Sequence, residues 1–221
     1  ARLIDSALED EQDTRAPLIA VESFQALPLS YAQESMWLVS RLGQGMSYQM
    51  SGILHFYQPL DLDILQQCVD QMVARHGSLR TCFMPAENGA RQLILPSVEL
   101  PIEVVESEVV GEEQAILHQW HSRDFDFTQA PLMRVIVLRG KDVGDTLGIC
   151  LHHIISDGFS TNILLNEMAA LYTAYQAGNL LALEPLSIQY HDYAVWERQH
   201  LTEKAFERSL DFWQQQLTGY C

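Results

Sequence analysis

Apolar and polar positions alternate along this chain in stretches of two kinds, with periods of 3.6 and of 2. The helical period is clearest after Asp61, where Leu62, Leu65, Val69, Met72 and Val73 fall on one stripe. Asp61 is an N-cap residue type, and so a helix is predicted from there to the Arg75-His76-Gly77 segment, with the stripe facing a core. A second helix is predicted over residues 31–42. Ser30 caps it, Gln33 completes a capping box, and Met36, Trp37 and Val39 turn inward. Residues 112–123 form a third, with Ile116, Leu117 and Trp120 inward. Residues 158–176 form a fourth, whose broad apolar face carries Ile163, Leu164, Met168, Leu171, Tyr172 and Tyr175 and which Gly178 stops. A last helix is predicted over residues 202–217.

The strand period is read over residues 50–57 and 132–138. It is also read in the uncharged apolar run Leu147-Gly148-Ile149-Cys150-Leu151, which leads into His152-His153. His55 is read as a residue of the first of these strands. Glu87-Asn88-Gly89 is a hairpin turn signal between strands at 81–84 and 92–95. Residues 141–145 turn the chain into the strand that ends at His152.

Composition narrows the possibilities further. At 221 residues and 48% hydrophobic content, the chain can bury a core. A net charge of -16 argues against nucleic acid and against anionic membrane surfaces as partners. No apolar run reaches membrane-spanning length. Residues 1–22 carry many acidic and glutamine residues and read as a linker from an upstream domain, with no signal peptide. The folded unit is expected over residues 23–221. The four cysteines, Cys68, Cys82, Cys150 and Cys221, form no CxxC or zinc-finger spacing. Cys68 and Cys150 read as buried hydrophobes, Cys221 is not expected to be a nucleophile, and a reducing, cytoplasmic compartment is expected.

Chemistry concentrates at His152-His153-Ile154-Ile155-Ser156-Asp157-Gly158. Adjacent residues at a strand end leave opposite faces, so the two histidines cannot readily share one metal. His118 and His121 are spaced i, i+3 on a helix, but no carboxylate or cysteine supports a metal there, and no metal site is expected. Ser156 and Ser160 lack the GxSxG setting of a hydrolase nucleophile.

The same seven residues match the HHxxxDG signature of acyltransferases with the chloramphenicol acetyltransferase fold. Further segments make the chain resemble, within that group, the condensation domains of nonribosomal peptide synthetases. Ser30-Tyr31-Ala32-Gln33-Glu34-Ser35-Met36-Trp37 is similar to the opening SxAQxRxW motif, with Ser35 where the family carries Arg. Arg75-His76-Gly77-Ser78-Leu79-Arg80-Thr81-Cys82-Phe83 matches RHxxLRTxF at each fixed position. Asp124-Phe125-Asp126-Phe127 with Pro131-Leu132-Met133-Arg134 resembles FDLxxxPLxR. Tyr190-His191-Asp192-Tyr193-Ala194-Val195-Trp196 resembles YxDYAxW, and Asp211-Phe212-Trp213 resembles the segment that follows it.

The resemblance implies an α/β fold: a chloramphenicol acetyltransferase-like sandwich lobe with a mixed β-sheet flanked by helices. The motifs cover the first half of the family pattern, and so the chain is expected to be the N-terminal lobe, without the C-terminal lobe and inactive by itself. The implied reaction is amide formation between an acyl or peptidyl thioester and an aminoacyl acceptor. Both are carried on the 4'-phosphopantetheine of carrier domains, and no cofactor is bound directly. Implied partners are upstream and downstream carrier domains, the C-terminal lobe and an adjacent adenylation domain. His153 is the implied base or positioning group, and the Gly158 N–H is a candidate donor to the oxyanion. His152, Asp157 and Arg80 are expected to support the site, with Arg80 and Asp157 in a buried ion pair. His76 is expected to pack or cap its helix. An epimerisation domain and a non-catalytic carrier-docking module are the alternatives. A heterocyclisation domain is disfavoured because HHxxxDG is intact.

Overall fold

A computed structural model describes residues 17–21, 26–44, 48–87, 89–107, 112–140, 144–201 and 203–219. Cys221, Asn88, the turn residues 141–143 and most of the 1–22 segment lie outside the described residues.

Its central sheet has four strands. They are β2 (Gln49–Phe56), β5 (Glu103–Ser107), β6 (Met133–Gly140) and β7 (Gly144–His152), in the order β2-β7-β6-β5. β5 runs parallel to β6 and the other pairs are antiparallel, so the sheet is mixed, as the resemblance implies. β7 is buried along nearly its whole length because it has a neighbour on each side and cover on both faces.

That cover follows from strand alternation. Leu147, Ile149 and Leu151 of β7 and Met133, Val135 and Val137 of β6 point to one face. There they meet Leu65, Cys68, Val69, Met72 and Val73 of α2 (Leu62–Arg75) and Leu164, Met168 and Leu171 of α4 (Gly158–Gln176). Ile136, Leu138 and Cys150 point the other way, against Leu117 and Trp120 of α3 (Glu113–His121). Gly148 lies on this second face. A Cβ there would come 2.7 Å from Ile136 Cγ2 and 3.4 Å from the Leu117 and Trp120 side chains. Glycine at that position lets α3 settle onto the sheet.

A smaller antiparallel sheet holds β1 (Leu27–Pro28), β3 (Thr81–Ala86) and β4 (Gly89–Ile94), in the order β1-β4-β3. β3 and β4 form the expected hairpin, closing at Ala86 opposite Gly89, whose φ of 95° suits glycine. Asp61 caps α2 by accepting from the Ile64 N–H at 3.0 Å. Ser30 and Gln33 form the expected capping box on α1 (Tyr31–Val39).

Some expectations need correcting. α1 ends three residues early, in a π turn over Ser40–Gln44 that contains Gly43 at φ 80°. Ile163 of α4 stays half exposed although its period matched the core stripe. β2 is an edge strand, so Ile53 and Leu54, which point to opposite faces, are both exposed. β5 was not anticipated: Glu103-Val104-Val105-Glu106 is a short edge strand that mixes charge with apolar residues. The 190–196 motif lies on α5 (Tyr190–His200), and α6 (Glu203–Leu217) follows it. No helix among the described residues is long and apolar enough to cross a membrane.

Candidate active site

The HHxxxDG segment joins β7 to α4, and backbone bonds fix its course. The His153 N–H donates to the Tyr48 carbonyl at 2.8 Å, and the Ile155 N–H donates to the His152 carbonyl at 3.1 Å. Asp157 is the N-cap of α4, where its Oδ1 accepts from the Ser160 N–H at 2.7 Å and from Ser160 Oγ at 2.6 Å. Those two bonds hold the Asp157 carboxyl below the usual carboxylate range, and the charge of His153 adds to the effect.

The neighbouring histidines border different cavities. His152 is buried, with Phe127 edge-on at 4.5 Å between centroids and Phe125 at 6.3 Å. Its Nδ1 accepts from the Ile154 N–H at 3.1 Å. The cavity it touches measures about 310 Å³ and is also lined by Trp37, Phe125 and Phe127.

His153 is only partly buried. It lines a cavity of about 160 Å³ with Gln33, Met36, Ile155, Ser160 and Tyr190. Its Nδ1 lies 2.7 Å from the Ser156 carbonyl oxygen. A carbonyl can only accept, so Nδ1 carries the hydrogen of that bond. In the neutral ring, the lone pair is therefore on Nε2. The local fold thus selects the tautomer in which His153 can take a proton at Nε2.

Gly158, the first residue of α4, is exposed, and a Cβ added there would meet nothing within 4 Å. The backbone at this helix start is open to approach. Asp157 already takes the Phe159 and Ser160 amides, and the Gly158 N–H, with no partner among the described residues, stands at the positive end of the helix.

Arg80 does not pair with Asp157. Its Nε donates to the Val73 carbonyl at 3.0 Å, its Nη2 to the Ala74 carbonyl at 3.4 Å, and its Nη1 to the Leu95 and Pro96 carbonyls. The guanidinium thus satisfies the C-terminal carbonyls of α2 and the end of the β3–β4 hairpin, a favourable place for a cation. Asp157, already engaged by Ser160, has no need of it. The charge of Arg80 falls instead near His191, where it reinforces burial in lowering the imidazole pKa.

Three more histidines have structural partners. His76 Nε2 lies 2.6 Å from Glu167 Oε2, tying the end of α2 to α4. His55 Nδ1 lies 2.9 Å from Thr146 Oγ1 across the β2–β7 pair. His121 Nδ1 is 2.6 Å from Ser51 Oγ, and among the described residues no three His, Cys, Asp or Glu are grouped as a metal would need. Ser35 is exposed and bonds back to the Tyr31 carbonyl, so this position puts no cation near the site.

Sequence reasoning missed one tether. Gln33 looks like a capping residue, but its Nε2 also donates to the Ile154 carbonyl at 3.3 Å, fastening α1 to the histidine loop. Its second partner lies 121 residues away and leaves no signal in the sequence.

Comparison with known proteins assigns the family. The model of the condensation domain family matches residues 24–221. The chain belongs to the condensation domain family. It is 32% identical to malpinin synthetase of Mortierella alpina over 225 residues, which covers 99% of this chain and 3% of that synthetase. It is also 33% identical to tyrocidine synthase 3 of Brevibacillus parabrevis over 220 residues, which covers 99% of this chain and 3% of that synthase. This condensation-domain chain therefore spans a small part of those large synthetases. Among solved structures, the X-domain from teicoplanin biosynthesis superposes with a TM-score of 0.82 at 26% identity, covering 92% of this chain and 46% of that one. The starter condensation domain of rhizomide synthetase RzmA shares the fold at a TM-score of 0.74 and 18% identity, covering 89% and 49%. The chain thus spans about half the length of these solved domains.

Proposed function

We propose that this chain is the N-terminal lobe of a condensation domain that forms amide bonds between two carrier-bound substrates. The observation that carries the reading is the lone pair on Nε2 of His153 beside an open cavity. An acceptor amine must lose a proton as it attacks a thioester carbonyl. In the proposed step, the amine nitrogen bonds to the carbonyl carbon and Nε2 of His153 takes the proton from nitrogen. The C–S bond then breaks, and the sulfur leaves as a thiol with that proton. The Gly158 N–H, at the positive end of α4, stabilises negative charge that develops on the carbonyl oxygen. His152, Asp157 and Arg80 support the site from below: His152 by packing, Asp157 by capping α4, and Arg80 by securing the α2 end. The substrates arrive on phosphopantetheine arms of flanking carrier domains, with an adenylation domain supplying the acceptor amino acid. A second lobe forms the other wall of the channel.

The test is mass-spectrometric detection of amide product from loaded donor and acceptor carrier proteins. Product is expected when the chain is extended to the complete domain and not from these 221 residues alone. Full turnover by the isolated lobe would contradict the two-wall reading. The X-domain from teicoplanin biosynthesis forms a complex with OxyB, and that likeness supports a second reading, a lobe that docks partner proteins. In that case the complete domain binds its carriers and yields no product.

A further inference from the structure

Tyr190 is the first residue of α5 and lines the His153 cavity together with residues of the histidine loop. Its hydroxyl oxygen lies 2.9 Å from Ser30 Oγ, where either atom could donate. Burial decides between them. Ser30 is fully buried, and its Oγ already accepts from the Gln33 N–H at 3.1 Å. The Ser30 hydroxyl has one hydrogen, and Tyr190 offers its acceptor among the described residues. A buried hydroxyl left without an acceptor is costly. Ser30 therefore donates and the Tyr190 oxygen accepts. The phenolic hydrogen is then left for something else, and Tyr190, at 41% exposure, is not sealed away.

We infer that Tyr190 is a further substrate-binding residue of this site, whose hydroxyl donates a hydrogen bond to a carbonyl oxygen of the substrate held beside His153. The inference rests on the amide-forming reading above. Three features of the fold support it. Ser30 is the N-cap of α1, so the group that orients the phenol is itself fixed by a helix start. The ring of Tyr193 lies 5.6 Å from that of Tyr190 and limits its swing. Burial above all, with the nearby carboxylates of Glu197 and Asp157, pushes the phenol above its ordinary pKa against the opposing Ser30 bond. Tyr190 therefore keeps its proton at neutral pH and remains a donor.

This arrangement gives the cavity complementary groups. His153 presents an acceptor at Nε2, which suits an amine N–H. Tyr190 presents a donor, which suits a carbonyl oxygen. An aminoacyl or acyl thioester offers both partners at short range.

The experiment uses the complete domain, with single-turnover product formation and a thermal melt for each variant. Tyr190→Phe removes the hydroxyl and keeps the ring. Product formation, measured well below the melting temperature, is expected to slow about tenfold, the effect of one neutral hydrogen bond, and the melt is expected to drop by a few degrees because the Ser30 hydroxyl loses its acceptor. Because Phe also strands the Ser30 hydroxyl, a second variant carries para-aminophenylalanine at position 190. Its amino group can both accept from Ser30 and donate into the cavity, and it is expected to restore most of the rate. Unchanged turnover in Tyr190→Phe would overturn the inference. A rate that falls only in step with melting temperature would overturn it too, by showing a purely structural role. His153→Ala serves as the control. If it loses turnover while Tyr190→Phe does not, the inference fails and the amide-forming reading stands. If both variants turn over normally, that reading fails as well.

Discussion

His153→Ala in the complete domain should slow amide formation by about 10²-fold or more and leave the fold intact. Loss of a general base or positioning group has an effect of this size. Stability should change little because the imidazole is only partly buried and its bond from Nδ1 to the Ser156 carbonyl is local to the loop. The loop keeps its other ties: the His153 backbone to Tyr48, Ile155 to His152 and Gln33 to Ile154. Single-turnover product formation beside a thermal melt checks this. Near-normal turnover by a well-folded His153→Ala protein would sink the assignment and move the docking reading ahead.

His152→Ala should act in the opposite order, on stability first. This side chain is 1% exposed, with Phe127 packed edge-on against it. Truncation leaves a cavity under the site and removes the acceptor of the Ile154 N–H. By analogy with other large-to-small core changes, the cost is about 2–4 kcal/mol. For a domain of this size, that lowers the melting temperature by roughly 5–15 °C. Activity should fall together with stability, because the same loop carries His153. A His152→Ala protein as stable as wild type, yet inactive, would show that the first histidine takes part in the chemistry.

Much of the scaffold was legible because it is local. Asp61, Ser30 and Asp157 cap the helices they precede, and a cap acts within three residues of its own position. Gly89 and Gly178 mark their turns through positive φ. The core stripe on α2 follows from period alone. The two histidines were separable because strand alternation sends neighbours to opposite sides, and here they border different cavities.

What escaped depends on partners distant in sequence. Arg80 looked as though it needed a carboxylate, but carbonyls at the end of a helix serve a guanidinium as well, and carbonyl acceptors leave no mark in a sequence. Gln33 carries two roles on one side chain, and only the first is visible from its spacing to Ser30. Tyr190 lay inside a recognised motif, but its place in the His153 cavity depends on α5 folding back over the start of α1, 160 residues away in sequence. The edge strand β5 escaped for another reason. Its charged residues are mixed with apolar ones, and it lacks the clean alternation that marks a half-buried strand.

The claim on which the mechanism turns is that the fold places the hydrogen of neutral His153 on Nδ1 and leaves Nε2 free. Two-bond ¹⁵N–¹H correlation spectra of histidine-labelled protein read this directly, with the His153 signals assigned by their loss in His153→Gln. In the neutral ring, the account predicts a protonated, pyrrole-type Nδ1 and a pyridine-type Nε2 at this residue. A His153 ring with its hydrogen on Nε2 would contradict it, because the lone pair would then sit on Nδ1, the atom held against the Ser156 carbonyl.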